Sequence, residues 1–342
     1  MASMDIFRGD AFSMIGLAAA IENVEHKPQL LGQLNIFESE PVEQRVVMVE
    51  SRDDGLALIP TSTIGAPLTQ LSDDKRVARN FAVTRLAKQS RIMAESVQGI
   101  RAFGSLTETQ QVQTVVARRL NRLVDDLELT WERMRLGAVQ GLFYDGAKGQ
   151  TLVNYFDEFD VAPPAEISFN FATLQPGELR PLIEQAVVRP IKRAAKGAFV
   201  PGARIVALVG DDFWDQFINH PEVRQTYLNW TAAADLRQST AWGAFHYAGV
   251  DWINYRGTDD NSTVAIATDE AKFFPQGARD VFKVCWGPGE FFDTVNQPGV
   301  PVRAMSLLDP SGRNAFVDVE VYSYPLFLCT KPLTLRSGAL AT

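Results

Sequence analysis

The sequence predicts an α+β fold. A helix-period apolar pattern runs from Gly104 to Leu142 with no proline in it, longer than the core of one compact domain covers. Strand-like segments lie on both sides of it, over 42–93 and 283–342, rather than alternating with helices along the chain. Between the helix and the last strands, residues 173–282 hold a separate mixture of helix and strand patterns.

Composition sets the outer limits. A chain of 342 residues allows roughly two domains. A formal charge of −8 argues against binding nucleic acid by neutralising phosphate, and equally against a polybasic membrane anchor. The two cysteines, Cys285 and Cys329, sit in apolar surroundings and read as buried free thiols, which suits a reducing compartment. No run of 18 apolar residues predicts a transmembrane helix. Asp5 and Asp10 spoil the basic start of a signal peptide, so the chain reads as soluble and cytoplasmic where it is made.

Taken in order, residues 1–45 offer a short helix (Phe12 to Asn23) and an irregular apolar segment. They read as an arm that needs another surface to cover it. Residues 46–92 read as an extended β-hairpin. Gln44 to Glu50 is a strand, Asp53-Asp54-Gly55 is a turn signal, Leu56 to Pro60 returns, and a second extended run follows from Arg76 to Ile92. So little internal core predicts a hairpin draped over a neighbour.

The long helix then opens on Ser105-Leu-Thr-Glu108, a capping-box pattern. Val116, Leu120, Leu123, Leu127, Trp131, Met134 and Ala138 follow at spacings of 4, 3, 4, 4, 3 and 4, which keeps them on one face. At 1.5 Å per residue the helix would reach about 50–57 Å. Gly146 to Ala172 reads as two strands around Pro163-Pro164 that back this spine.

Leu174 to Ala198 is helical, with interruptions at Pro181 and Pro190; Ile205 to Val209 is a buried strand; the next helix stops before Pro221. Strand material recurs around Gly249, and a turn is expected at Asp259-Asp260-Asn261. The end of the chain is strand and turn, with a strong turn at Asp309-Pro-Ser-Gly312. The long strand holding Phe316 to Tyr324 is expected to pair with the hairpin behind the spine.

Catalytic chemistry is hard to find in this chain. Gly210 between strand and helix is followed by Asp211-Asp212, whose charges repel phosphate and suit helix N-caps instead. His26, His220 and His246 lack metal-ligand spacing and read as structural. Asp125-Asp126 and Asp157-Glu158 read as surface partners of arginines such as Arg122 rather than general acids. No nucleophile elbow or phosphate loop occurs. No catalytic, cofactor-binding or metal-ligating residue is therefore assigned, and no cofactor is expected. The aromatics, interleaved with acids and small residues, read as packing and interface material.

Four blocks in fixed order carry a resemblance. They are SRIMAESVQGIRAFGS (Ser90 to Ser105), LTWERMRLGAVQGLFYDGAKGQTL (Leu129 to Leu152), FFPQGARDVFKVCWGPGEFFDTVNQPGVPVRA (Phe273 to Ala304) and YSYPLFLCTKPLTL (Tyr322 to Leu335). Together they resemble the phage lambda major capsid protein E family, which has the Hong Kong 97 fold of tailed-phage major capsid proteins. Tyr324 departs from the polar residue usual before the Pro-Leu pair.

The resemblance implies a structural subunit without catalytic residues. It self-assembles through hexamers and pentamers into an icosahedral head enclosing double-stranded DNA of a tailed phage or prophage, without sequence-specific binding. The implied parts are an N-terminal arm (1–45), an E-loop (46–92), a P-domain with the spine helix (93–172), an A-domain (173–282), and return strands completing the P-domain (283–342). Arm and E-loop would lie across adjacent subunits. Scaffold, portal and decoration proteins are the implied partners, no membrane is involved, and the place is the virion head, assembled in the host cytoplasm. In some relatives a lysine–asparagine cross-link welds the shell, while lambda-like shells rely on a decoration protein instead; Lys75 and Lys88 are available, but nothing identifies the acceptor, so none is expected here. The alternatives are an encapsulin-like cellular shell and an α/β enzyme with its site in 173–282.

Overall fold

The computed structural model describes residues 30–52, 76–95, 108–146, 150–224, 226–227, 245–255, 258 and 264–341. The Phe12 to Asn23 helix, His26, the Asp53 to Pro60 turn and return, Lys75, Ser105 of the capping box and the Asp259 turn lie outside them.

The described chain opens with a single helical turn, α1 (Leu30–Gln33), and a short strand, β1 (Glu38–Pro41). β2 (Val46–Arg52) and β3 (Arg76–Ala82) form a two-stranded antiparallel ribbon, Val46 opposite Ala82 and Arg52 opposite Arg76. β4 (Leu86–Met93) leads to the long helix α2 (Glu108–Val139), whose 32 residues span about 48 Å. It ends at Gly141, whose φ of +81° closes the turn and whose missing side chain makes room for the Phe156 ring.

β5 (Leu142–Tyr144) and β6 (Thr151–Asn154) form a small hairpin, followed by α3 (Tyr155–Glu158) and β7 (Ile167–Phe169). Next come α4 (Leu179–Ile183), a π turn over Glu184–Val188 and α5 (Arg189–Ala195). The helical path survives both prolines. Pro190 can offer no N–H to the previous turn, and the wider π turn just before it, closed by Arg189 N–H onto Glu184 O, absorbs the mismatch. β8 (Arg204–Val209) precedes α6 (Asp211–Asn219), which stops ahead of Pro221. β9 (Phe245–Tyr247) and β10 (Val250–Asn254) are joined by Ala248 and Gly249, both at positive φ, the geometry of a tight hairpin. β11 (Glu270–Gln276), β12 (Phe282–Trp286), β13 (Arg303–Leu308), β14 (Phe316–Ser323), β15 (Pro325–Cys329) and β16 (Arg336–Leu340) complete the chain.

Three sheets organise these elements. A six-stranded mixed sheet runs β7-β16-β11-β8-β10-β9. Its β8 is buried on both faces: Val206 and Leu208 join one core, while Ile205, Ala207 and Val209 join another with Phe213, Phe217 and Trp252. That double burial explains the unbroken apolar run in the sequence. A β1-β12-β15 sheet places Phe282 and Phe327, with Phe37 just ahead of β1, in the first core. An antiparallel β13-β14-β4 sheet lies against the front half of α2.

Several pairings differ from the sequence expectations. The sheet behind the spine is β13-β14-β4 rather than the 146–172 segment, because β4 offers β14 an eight-residue ladder from Phe316–Met93 to Ser323–Leu86. β6 and β7 do not pair with each other; β7 joins β16 instead. β16 thereby closes the six-stranded sheet rather than returning to the sheet under the spine. The arm residues from Leu31 to Pro41 find their covering surface within the same chain, where Leu31, Ile36 and Phe37 are buried and β1 pairs with β12. Asp211 and Asp212 occupy the first turn of α6, where their charge suits the helix dipole; the cap position belongs to Gly210.

Candidate assembly surfaces

All seven residues of the spine stripe are buried, at 7% exposure or less. Val116, Leu120, Leu123 and Leu127 pack with Ile92, Ala304, Val319 and Val321 of the sheet beneath. Trp131, Met134 and Ala138 belong to the larger core, where the Trp131 and Trp286 rings meet at 5.0 Å. One helix face thus joins two cores, which is why the apolar pattern outruns a single domain.

The polar face of the helix fastens the strands around it. Lys88 on β4 donates to Asp126 at 2.5 Å, so this acid reaches across to the sheet rather than along the helix to Arg122. On the same ladder Arg91 makes a two-pronged bond to Asp318, both contacts 2.8 Å, and lies over the Phe316 ring. Arg91 beside it holds the Asp318 carboxyl below its ordinary value. Arg85 grips Glu290 in the same two-pronged way, at 2.8 and 2.9 Å, and Glu290 is likewise held low.

Sequence reasoning missed the buried acid Glu132. It sits one residue past Trp131 on the spine helix and accepts backbone N–H groups from α1. Leu31 N–H donates at 2.7 Å and Gly32 N–H at 3.2 Å, with Arg135 also at 3.2 Å. Burial pushes its carboxyl up, and these donors offset only part of that push. The sequence carried a signal only in the i,i+3 pair with Arg135.

The groups considered for chemistry are engaged structurally. His220 is buried, with Nε2 at 3.2 Å from Leu174 O and Nδ1 accepting Glu222 N–H. His246 lies 2.6 Å from Asp251. Gly210 fits because a side chain there would meet Ala267 O at 2.2 Å, a packing reason rather than a phosphate cradle. Both cysteines are free and buried; burial pushes Cys285 up to about 11 and Cys329 up to about 12. Among the described residues no group of three or more His, Cys, Asp or Glu could hold a metal, and no helix is long and apolar enough to cross a membrane.

Some apolar side chains also remain exposed. On the β2–β3 ribbon, Val46 and Met48 are 49% and 60% exposed on one face, beside exposed Ala78 and Ala82. Phe292, in the loop between β12 and β13, is 98% exposed.

Comparison with known proteins gives this architecture its context. The major capsid protein of Salmonella phage Felix O1 is 22% identical over 354 residues, covering 95% of this chain and 95% of that protein. That of Pseudomonas phage KPP10 is 26% identical over 309 residues, covering 85% and 87%. Among solved structures, one described as a prophage capsid protein of E. coli CFT073 matches with a TM-score of 0.55 at 13% identity, over 96% of this chain and 99% of that one. The capsid of Ralstonia phage GP4 matches with a TM-score of 0.51 at 12% identity, over 87% and 83%. These likenesses carry the fold, that of Hong Kong 97-type capsid proteins. The profile of the phage major capsid protein E family matches residues 13–340, and the chain belongs to that family.

Proposed function

We propose that this chain builds the head shell of a tailed phage or prophage from repeated copies of itself, arranged as hexamers and pentamers around packaged double-stranded DNA. The observation that carries the reading is the ribbon: one face of this two-stranded sheet, with Val46 and Met48, is left open to solvent by the described residues and calls for a covering surface. A neighbouring subunit supplies it. In this reading the part of the arm ahead of the covered Leu31–Pro41 segment and the β2–β3 ribbon mediate contacts, while β4 belongs to the sheet beneath the spine. Residues from 93 to β6, with the returning strands β12 to β15, form the P-domain, and 173–282, joined by β7 and β16 in the six-stranded sheet, form the A-domain. The spine stripe holds the wall rigid. The protein catalyses no reaction, holds no cofactor and carries no lysine–asparagine cross-link. Scaffold, portal and decoration proteins are its partners in head assembly. Its acidic balance suits a wall that must let DNA slide during packaging and ejection.

Met48→Asp tests this reading. It places a charge on an exposed face, so folding and melting are expected to hold while shell particles disappear from negative-stain images. Particles at wild-type yield would count against the ribbon as a contact.

A further inference from the structure

The two faces of the β2–β3 ribbon are unlike. Opposite the open face of Val46 and Met48, the inner face carries the register pairs Val47–Phe81 and Val49–Arg79. Phe81 is buried, its ring 6.1 Å from Tyr155 and 6.0 Å from Phe159. One pair further out, the Arg79 side chain is only 15% exposed and reaches the end of α3. Its Nε–H donates to Glu158 O, its Nη2 donates to Asp160 Oδ2 at 3.0 Å, and its guanidinium lies 5.2 Å from the centre of the Phe159 ring. Glu158 O is one of the carbonyls that a helix end leaves open. The platform is itself held in place. Asn154 caps α3 by accepting Phe156 N–H at 3.1 Å, Val161 N–H donates to Phe156 O at 3.0 Å, and Asp160 sits at a φ of +52°. The next inner-face residue, Val77, is already 46% exposed, so Arg79 stands where the ribbon leaves the body of its own subunit.

We propose that Arg79 is a positioning residue that fixes the direction in which the ribbon projects before any neighbour touches it. Apolar contact such as that of Phe81 is non-directional and lets surfaces slide. A planar guanidinium that meets a carbonyl, a carboxylate and a ring face at once does not. At the root of the ribbon, Thr84 N–H and Oγ1 both donate to Pro325 O, at 3.2 and 2.9 Å. Thr84 and Arg79 are separated by roughly 17 Å of extended chain at about 3.4 Å per residue. Two ties that far apart set an angle, where one alone would leave a pivot. The role belongs to the single subunit and goes beyond the shell reading; it rests on that reading only for its use. A ribbon already aimed presents Val46 and Met48 without the ordering cost that a loose ribbon meets on contact.

The test reads the ribbon's direction as a distance. Nitroxides are attached through Met48→Cys on the open face and Arg122→Cys on the spine helix, both exposed positions; the native Cys285 and Cys329 are buried and escape the label. Subunits separated by size exclusion are expected to give one narrow distance peak in pulsed EPR. Arg79→Ala is expected to lose that peak to a broad distribution. A role in stability alone would lower the melting temperature and leave the peak unchanged, and that result overturns the proposal, as does a distribution already broad with Arg79 in place. Asp160→Asn is a second variant that preserves the turn, because asparagine accepts a positive φ. It removes the charged acceptor and is expected to broaden the peak as well; where Arg79→Ala fails to fold, an unchanged peak in Asp160→Asn overturns the proposal. Particle formation by the wild-type chain is a separate readout: its failure would sink the shell reading and leave the role of Arg79 to be decided by the distances.

Discussion

The Glu132 carboxylate of the spine helix accepts the backbone N–H of Leu31 at 2.7 Å, tying the start of the described chain to its middle across 101 positions. Glu132→Ala would leave that buried N–H without an acceptor, a loss of about 1–3 kcal/mol. The expected signs are a lower melting temperature and faster protease cutting between residues 30 and 45. An unchanged rate would mean that the apolar contacts of Leu31, Ile36 and Phe37 hold the segment alone.

The same carboxyl sets a pH dependence. Burial raises its folded-state value above the ordinary one, so the folded protein keeps a proton that the unfolded chain has already released. Its contribution to stability therefore falls as pH rises from the ordinary carboxyl value through the raised one, and stays low above it. Glu132→Gln removes this fall. Denaturant titrations of both proteins across that window are expected to differ in slope.

Asp318 and Glu290 act in the opposite sense. Each is held low by its arginine, so its contribution is present above the ordinary carboxyl value and is lost as pH falls through the depressed one. The arginines are about half exposed, so solvent screening keeps the contribution of each pair small. Asp318→Asn is expected to make acid unfolding slightly less steep, read from melting temperatures at decreasing pH.

Leu127 sits in the stripe at 4% exposure, against the sheet beneath the spine. Leu127→Asp would put a charge there without a partner, which typically costs several kcal/mol. Loss of soluble folded protein is expected. A normal yield with a normal melting curve would show that the front of the helix is free to lift off the sheet.

Much of this fold was legible because periodicity records burial. The seven stripe residues and the apolar run of β8 are visible in sequence because each is buried by its own local geometry. The strand partners were not legible in the same way. β14 could have paired with any extended neighbour, and its choice of β4 depends on an eight-residue register and the Arg91–Asp318 bond between positions far apart in sequence. The same holds for β16, for the docking of Leu31 on Glu132, and for Phe292, since nothing in FFDTV separates a buried aromatic from an exposed one. Gly210 was visible as a glycine between strand and helix, but its reason, the Ala267 carbonyl 2.2 Å from where a side chain would stand, is a tertiary fact.

Imaging the purified wild-type protein in negative stain after size-exclusion chromatography decides whether this chain is a shell subunit. Closed particles, or hexamers and pentamers on the way to them, are expected. A stable monomer whose melting temperature rises with a small ligand would contradict it.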